Sequence, residues 1–158
     1  MATEPSRDLA HQLSRAERLL TGRMSAILAA ENCTLDEWRV LKLLVDGRGH
    51  TMTEVADFVM LPAPTLTKLV DRMVADGLVY RRADDRDRRR VLVYVSLHGR
   101  DLYEQASELL AEAEAGLMSA LGDQGELASW LAHLTGILSA PVQAQSSPRE
   151  ARADAIGA

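Results

Sequence analysis

The chain has 158 residues and a formal net charge of −5, with 47% hydrophobic, 26% charged and only 4% aromatic side chains. That length suits a single globular domain, and the scarcity of aromatics beside abundant Leu and Ala favours helices. No apolar run approaches the roughly 18 residues that span a membrane, the start lacks an apolar signal core, and a lone Cys33 excludes an internal disulfide, so a soluble protein of the reducing cytoplasm is expected.

Leu9, Leu13, Ala16, Leu20, Met24 and Ile27 recur at steps of three and four, the single apolar stripe of a long helix over residues 8–30. "TLDE" at 34–37 is a capping box, with Thr34 as N-cap and Glu37 three residues on. It opens a helix that carries Trp38, Leu41, Leu44 and Val45 and stops at Gly47 and Gly49. "TMTE" at 51–54 is a second box, starting a short helix with Val55, Ala56 and Val59 inward. After "MLPAP", whose Pro62 and Pro64 suit a first helical turn, Leu66, Leu69, Val70, Met73 and Val74 form the buried stripe of a further helix closed by Gly77. Two short helices joined by a tight turn read as a helix-turn-helix.

The period then changes. "LVYRR" and "RVLVYV" are short and β-branched, and Val91, Val93 and Val95 alternate with Arg90, Leu92 and Tyr94 as in a strand. The two segments make a β-hairpin with "RADDRDRR" at its tip, a wing beside the helix-turn-helix. Helical spacing resumes with Leu102, Ala106, Leu109, Ala113, Leu117 and Leu121, and again after "GDQG" with Leu127, Trp130, Leu134 and Ile137. Residues 140–158 have no strong period and are expected to form a flexible tail. The fold class is therefore mainly α with a small β-hairpin wing.

Charge is concentrated where the wing is. Residues 65–100 hold nine Lys and Arg against five Asp, a local +4 that leaves −9 for the remainder. A basic element on an acidic body points to a polyanion. In a recognition helix over this segment, Ala63, Pro64, Thr65, Thr67, Lys68 and Arg72 lie off the apolar stripe. Thr67 and Lys68 can meet base edges or phosphate, and Arg72 the backbone. Arg81, Arg82, Arg86, Arg88, Arg89 and Arg90 crowd the wing, where an arginine can enter a narrow minor groove. Asp87, two residues before Arg89, has the type and spacing to orient that guanidinium.

These segments resemble the MarR family of winged helix-turn-helix transcriptional regulators over roughly residues 34–102. The resemblance runs through "LDEWRVLKLL", "TEVADFVMLPAPTLTKLVDRMVADGLVYRR" and "DRDRRRVLVYVSLHG". Asp87 and Arg89 match the family's Asp-x-Arg wing signature, and Ser96 and Gly99 its exit from strand to helix. Met60, Pro62 and Pro64 depart from it, standing where Gly and two Ser are frequent, so specificity falls on Thr65, Thr67 and Lys68. The resemblance implies a homodimer on a pseudo-palindromic double-stranded operator. Residues 8–33 and 99–139 would form the dimerisation helices and 34–98 the DNA-binding lobe.

It also implies repression relieved by a small aromatic or anionic effector, bound near Arg18, Met24, Trp38 and Arg39. Activation instead of repression stays open, as do a winged-helix module that binds proteins and a thiol redox switch at Cys33. His11, His50, His98 and His133 lack ligand spacing, so no metal is expected. With no nucleophile–base pair or phosphate loop, neither enzymatic activity nor a cofactor is expected.

Overall fold

The computed structural model describes residues 8–122 and 125–140. In chain order these form α1 (Leu9–Leu28), a 3-10 turn (Ala29–Glu31), α2 (Leu35–Leu44), β1 (His50–Thr51), α3 (Met52–Val59), α4 (Ala63–Ala75), β2 (Val79–Ala83), β3 (Val91–Val95), α5 (Leu97–Leu121) and α6 (Glu126–Ser139). The chain divides into two compact units, one up to Ala115 and the other from Gly116, so the boundary falls inside α5. The segment expected as a tail lies, apart from Ala140, outside the described residues.

Both capping boxes form. Thr34 Oγ1 accepts from the Glu37 N–H at 3.2 Å while Glu37 Oε2 accepts from the Thr34 N–H at 2.8 Å. Thr51 and Glu54 repeat the pattern at 3.2 and 2.7 Å. α3 ends at Met60, which takes the left-handed conformation (φ 56°) usually left to glycine. The next N–H, that of Leu61, reaches back to the Ala56 carbonyl at 3.2 Å. α4 starts from Pro62 and ends with the Leu78 N–H on the Met73 carbonyl at 2.9 Å, with Gly77 left-handed between them.

The lobe core joins Val40, Leu41 and Leu44 of α2, Val55 and Val59 of α3, Leu66, Leu69, Val70 and Met73 of α4, and Leu78, Val79 and Val93. A second cluster sets Leu28 and Cys33 against Ala106 and Leu110. Beside these two clusters, Val74 and Leu109 depart from the buried positions that the apolar stripes suggest. Val74 is 37% exposed, because Val70 and Met73 already fill that turn of α4. In α5 it is Leu110 that is buried while Leu109 is 36% exposed, a rotation of the stripe that follows Ala106.

The wing also has a third strand. The sheet order is β1-β3-β2, all antiparallel, with His50 opposite Val93 and Thr51 opposite Leu92. Two residues carry no detectable period, so β1 was invisible to periodicity. Gly49, at φ +72°, lies so close to the Tyr94 ring that a Cβ would overlap it. Tyr94 in turn stacks on Tyr80, with ring centroids 5.5 Å apart.

Candidate nucleic-acid interface

The surface is built from α4 and the wing. Pro62, Ala63, Pro64, Thr65, Thr67, Lys68, Asp71 and Arg72 are exposed, opposite the core-facing Leu66, Leu69, Val70 and Met73. Thr67 Oγ1 donates to the Ala63 carbonyl at 2.9 Å, which leaves its lone pairs and methyl outward. Lys68 has no carboxylate within ion-pair distance among the described residues. Beside it opens a groove of about 380 Å³ lined by Asp36, Leu61, Pro64, Thr65, Lys68, Leu69 and Arg72.

Three of the cationic candidates are engaged by the protein itself. Arg72 donates from Nε and a terminal nitrogen to Glu37 Oε1, at 3.2 and 3.1 Å. Glu37 is only 6% exposed and its other oxygen closes the α2 capping box, so one carboxylate satisfies two elements. Arg81 pairs with Asp71 at 2.7 Å and thereby ties β2 to α4. Arg82 makes a forked contact with Asp85, at 2.9 and 2.6 Å.

At the tip the aspartates do different work. Asp84 Oδ1 accepts from the Arg86 N–H at 2.9 Å and Asp87 Oδ1 from the Arg89 N–H at 3.0 Å. Both are side-chain turns that satisfy backbone donors in a loop. The Asp84 N–H to Arg90 carbonyl bond (2.9 Å) and the Arg90 N–H to Asp87 carbonyl bond (2.8 Å) close the tip. Asp87 thus shapes the loop under Arg89 and does not hold its guanidinium; the carboxylates that orient wing arginines are Asp85, on Arg82, and Asp71, on Arg81. Among the described residues no carboxylate lies within ion-pair distance of the guanidinium of Arg86, Arg88, Arg89 or Arg90. Spacing alone does not show these pairings: Glu37 lies 35 residues from Arg72 and doubles as a cap, Asp71 lies on a different element from Arg81, and Asp85 sits between two loop aspartates that serve backbone donors.

The root is anchored through Ser96. Its hydroxyl lies 2.6 Å from the Gly77 carbonyl and 3.0 Å from that of Leu78, and it accepts the Gly99 N–H at 2.9 Å. A Cβ at Gly99 would overlap the Leu78 carbonyl, so the strand-to-helix exit requires glycine.

The proposed effector residues are only partly brought together. Met24 and Trp38 both pack against the second core cluster. Trp38 is held by Nε1 on Ser107 Oγ (3.0 Å), by stacking on Tyr103 (centroids 6.2 Å) and by Lys42 Nζ 4.9 Å over its ring. Arg39 leans on Asp36 at 3.6 Å, and Arg18 is exposed on α1, six residues before Met24. Cys33 is buried, and loss of solvent, reinforced by the nearby Glu37 charge, pushes its thiol up to about 11. A redox sensor needs the opposite shift, because the thiolate is the reactive form.

A model described as the MarR family matches residues 32–90. The structure resembles that of a MarR family transcriptional regulator from Silicibacter pomeroyi DSS-3, with a TM-score of 0.74 and 30% identity, covering 84% of this chain and 96% of that one. The chain belongs to the MarR family. This MarR protein is also similar to the transcriptional regulator FarR of Neisseria gonorrhoeae, 29% identical over 70% of this chain and 75% of that protein. A third likeness is to NadR in complex with 4-hydroxyphenylacetate, at 27% identity and a TM-score of 0.72, covering 87% of this chain and 97% of NadR. No helix among the described residues is long and apolar enough to cross a membrane.

Proposed function

We propose that this MarR protein is a repressor that binds a pseudo-palindromic duplex as a homodimer, with α4 in the major groove and the wing in the flanking minor groove. The observation that carries this is the pairing of an exposed recognition face with a wing tip whose Arg86, Arg88 and Arg89 guanidinium groups have no carboxylate partner among the described residues. Unpaired guanidinium groups on an otherwise acidic chain suit a polyanion, and a hairpin tip suits a narrow groove. Dimerisation is supported by apolar side chains left open in the single chain, among them Leu9 at 59% on α1 and Trp130 at 71% on α6. Isolated exposed leucines are ordinary, but a helical series of them seeks a partner.

Release would come from a small aromatic anion. NadR is seen in complex with 4-hydroxyphenylacetate, and here the stacked rings of Trp38 and Tyr103 lie beside Lys42. The effector would shift the population toward lobe spacings that miss successive major grooves.

The test is fluorescence anisotropy of labelled duplexes from beside the protein's own gene, across a salt series. Steep weakening with salt and a stoichiometry of two chains per site are expected. Salt-independent binding, or none, would sink the DNA assignment. Weakening by 4-hydroxyphenylacetate that disappears in Lys42→Ala would support the effector site.

A further inference from the structure

The leading end of α4 is apolar where a groove reader is usually polar. Met60 is 80% exposed in its left-handed turn. Pro62, Ala63, Pro64 and Thr65 follow, all exposed. Donors are few there: Pro62 and Pro64 lack an N–H, and the N–H groups of Thr65 and Leu66 are both spent on the Pro62 carbonyl at 3.0 Å. The Thr67 hydroxyl hydrogen is likewise turned back, onto Ala63. Such an apex presents a thioether, a methyl and a pyrrolidine ring. Ala63 and Thr67, like Pro64 and Lys68, are four apart and share a face, so the apolar groups lead and the polar ones trail by one turn.

In the major groove, thymine alone offers an apolar group, its C5-methyl; the other recognition groups there are donors and acceptors. Resting on the DNA-binding assignment above, we infer that Met60, Ala63 and Pro64 are specificity-determining residues that read thymine methyl groups where α4 enters the operator. Charge complementarity supports the same occupant, since Lys68 lies one turn behind the apex and, among the described residues, neither it nor Arg86, Arg88 and Arg89 of the wing has a carboxylate within ion-pair distance. Sequence preference then comes from methyl burial at the apex and from Thr65 and Lys68 behind it.

The experiment uses the full chain to enrich duplexes from a random pool. The enriched site is then rebuilt with deoxyuridine in place of each thymine in turn, a change that removes only the methyl. Loss of affinity by about fourfold is expected at one or more thymines in each half-site, the worth of one buried methyl. In Met60→Gly or Pro64→Ser that preference for thymine over uracil should shrink toward unity at the contacted position, with the salt dependence unchanged. Met60→Gly suits the left-handed turn, so a folding defect does not cloud its result. Enrichment without any uracil penalty would overturn the methyl assignment and leave DNA binding intact. A penalty that persists in both variants and in Ala63→Gly would move the contact to other residues and equally overturn it. Failure to enrich any sequence would remove the DNA-binding assignment itself, and this inference with it.

Discussion

The root and the tip of the wing are made from the same arginine-rich decapeptide, residues 81–90, yet they are organised in opposite ways. At the root, Arg81 is bound to Asp71, Arg82 to Asp85, and Ser96 to the carbonyls before β2. At the tip, the carboxylates of Asp84 and Asp87 are bound to backbone N–H groups, and among the described residues no carboxylate reaches the guanidinium groups of Arg86, Arg88, Arg89 and Arg90. An interleaved Asp therefore has two uses: Asp85 neutralises an arginine, and Asp84 and Asp87 on either side of it fold the chain by accepting backbone N–H groups. Root arginines should govern geometry and tip arginines should govern affinity.

The largest expected effect breaks the root. Gly99→Ala drives a methyl into the Leu78 carbonyl and should cost about 3 kcal/mol, as overpacking against backbone does. Thermal denaturation followed by circular dichroism measures it; a loss under about 1 kcal/mol would mean that the root yields easily. Next comes the tip. Arg89→Ala and Arg88→Ala should each weaken duplex binding about tenfold and flatten the log–log salt slope by about one, with stability unchanged within about 0.5 kcal/mol. A normal slope would show that the guanidinium meets no phosphate.

Arg81→Gln and Asp71→Asn sharpen the contrast. Both should weaken binding modestly without altering the salt slope, and the double variant should be no worse than either single one, with a coupling of about 0.5–1 kcal/mol. Additive losses would place Arg81 on the DNA. The smallest effect belongs to the far side of the root. Hydrogen bonds from the Thr51 backbone and hydroxyl hold the Glu54 carboxyl below its usual range. A depressed carboxyl stabilises the fold above its unfolded pKa of about 4.3, and the benefit is lost as pH falls through the folded value. Glu54→Gln should cost a few tenths of a kcal/mol, about 0.5 at most, at neutral pH for so exposed a carboxyl, and the gap should narrow in acid as pH falls below the unfolded value. Denaturant melts at both pH values test it, and a gap that persists in acid would assign it to something other than charge.

Local grammar made much of this legible. Thr34 with Glu37, and Thr51 with Glu54, mark helix starts because capping is settled within four residues. Alternation around Val93 marks the strand for the same reason. What stayed hidden depends on partners distant in sequence. Glu37 reads as a cap and is also the partner of Arg72, 35 residues away. Asp71 reads as a solvated helix position and holds the wing. Met60 could be placed in the turn from its neighbours, but its left-handed conformation, which costs a residue with a Cβ about 1–2 kcal/mol, belongs to the folded chain. Arginine count predicts a basic wing; which of those arginines meet a carboxylate depends on how the chain folds around them.

Thr51 belongs to two secondary structures at once. Its backbone lies opposite Leu92 of the central strand, and its hydroxyl caps the helix that begins at the next residue. No linker separates sheet from helix at this point, so α3 cannot shift without dragging β3 and the wing along. The lobe is geared as one lever. Any displacement of α3 is therefore expected to carry the central strand with it, so the hairpin should keep its angle to that helix.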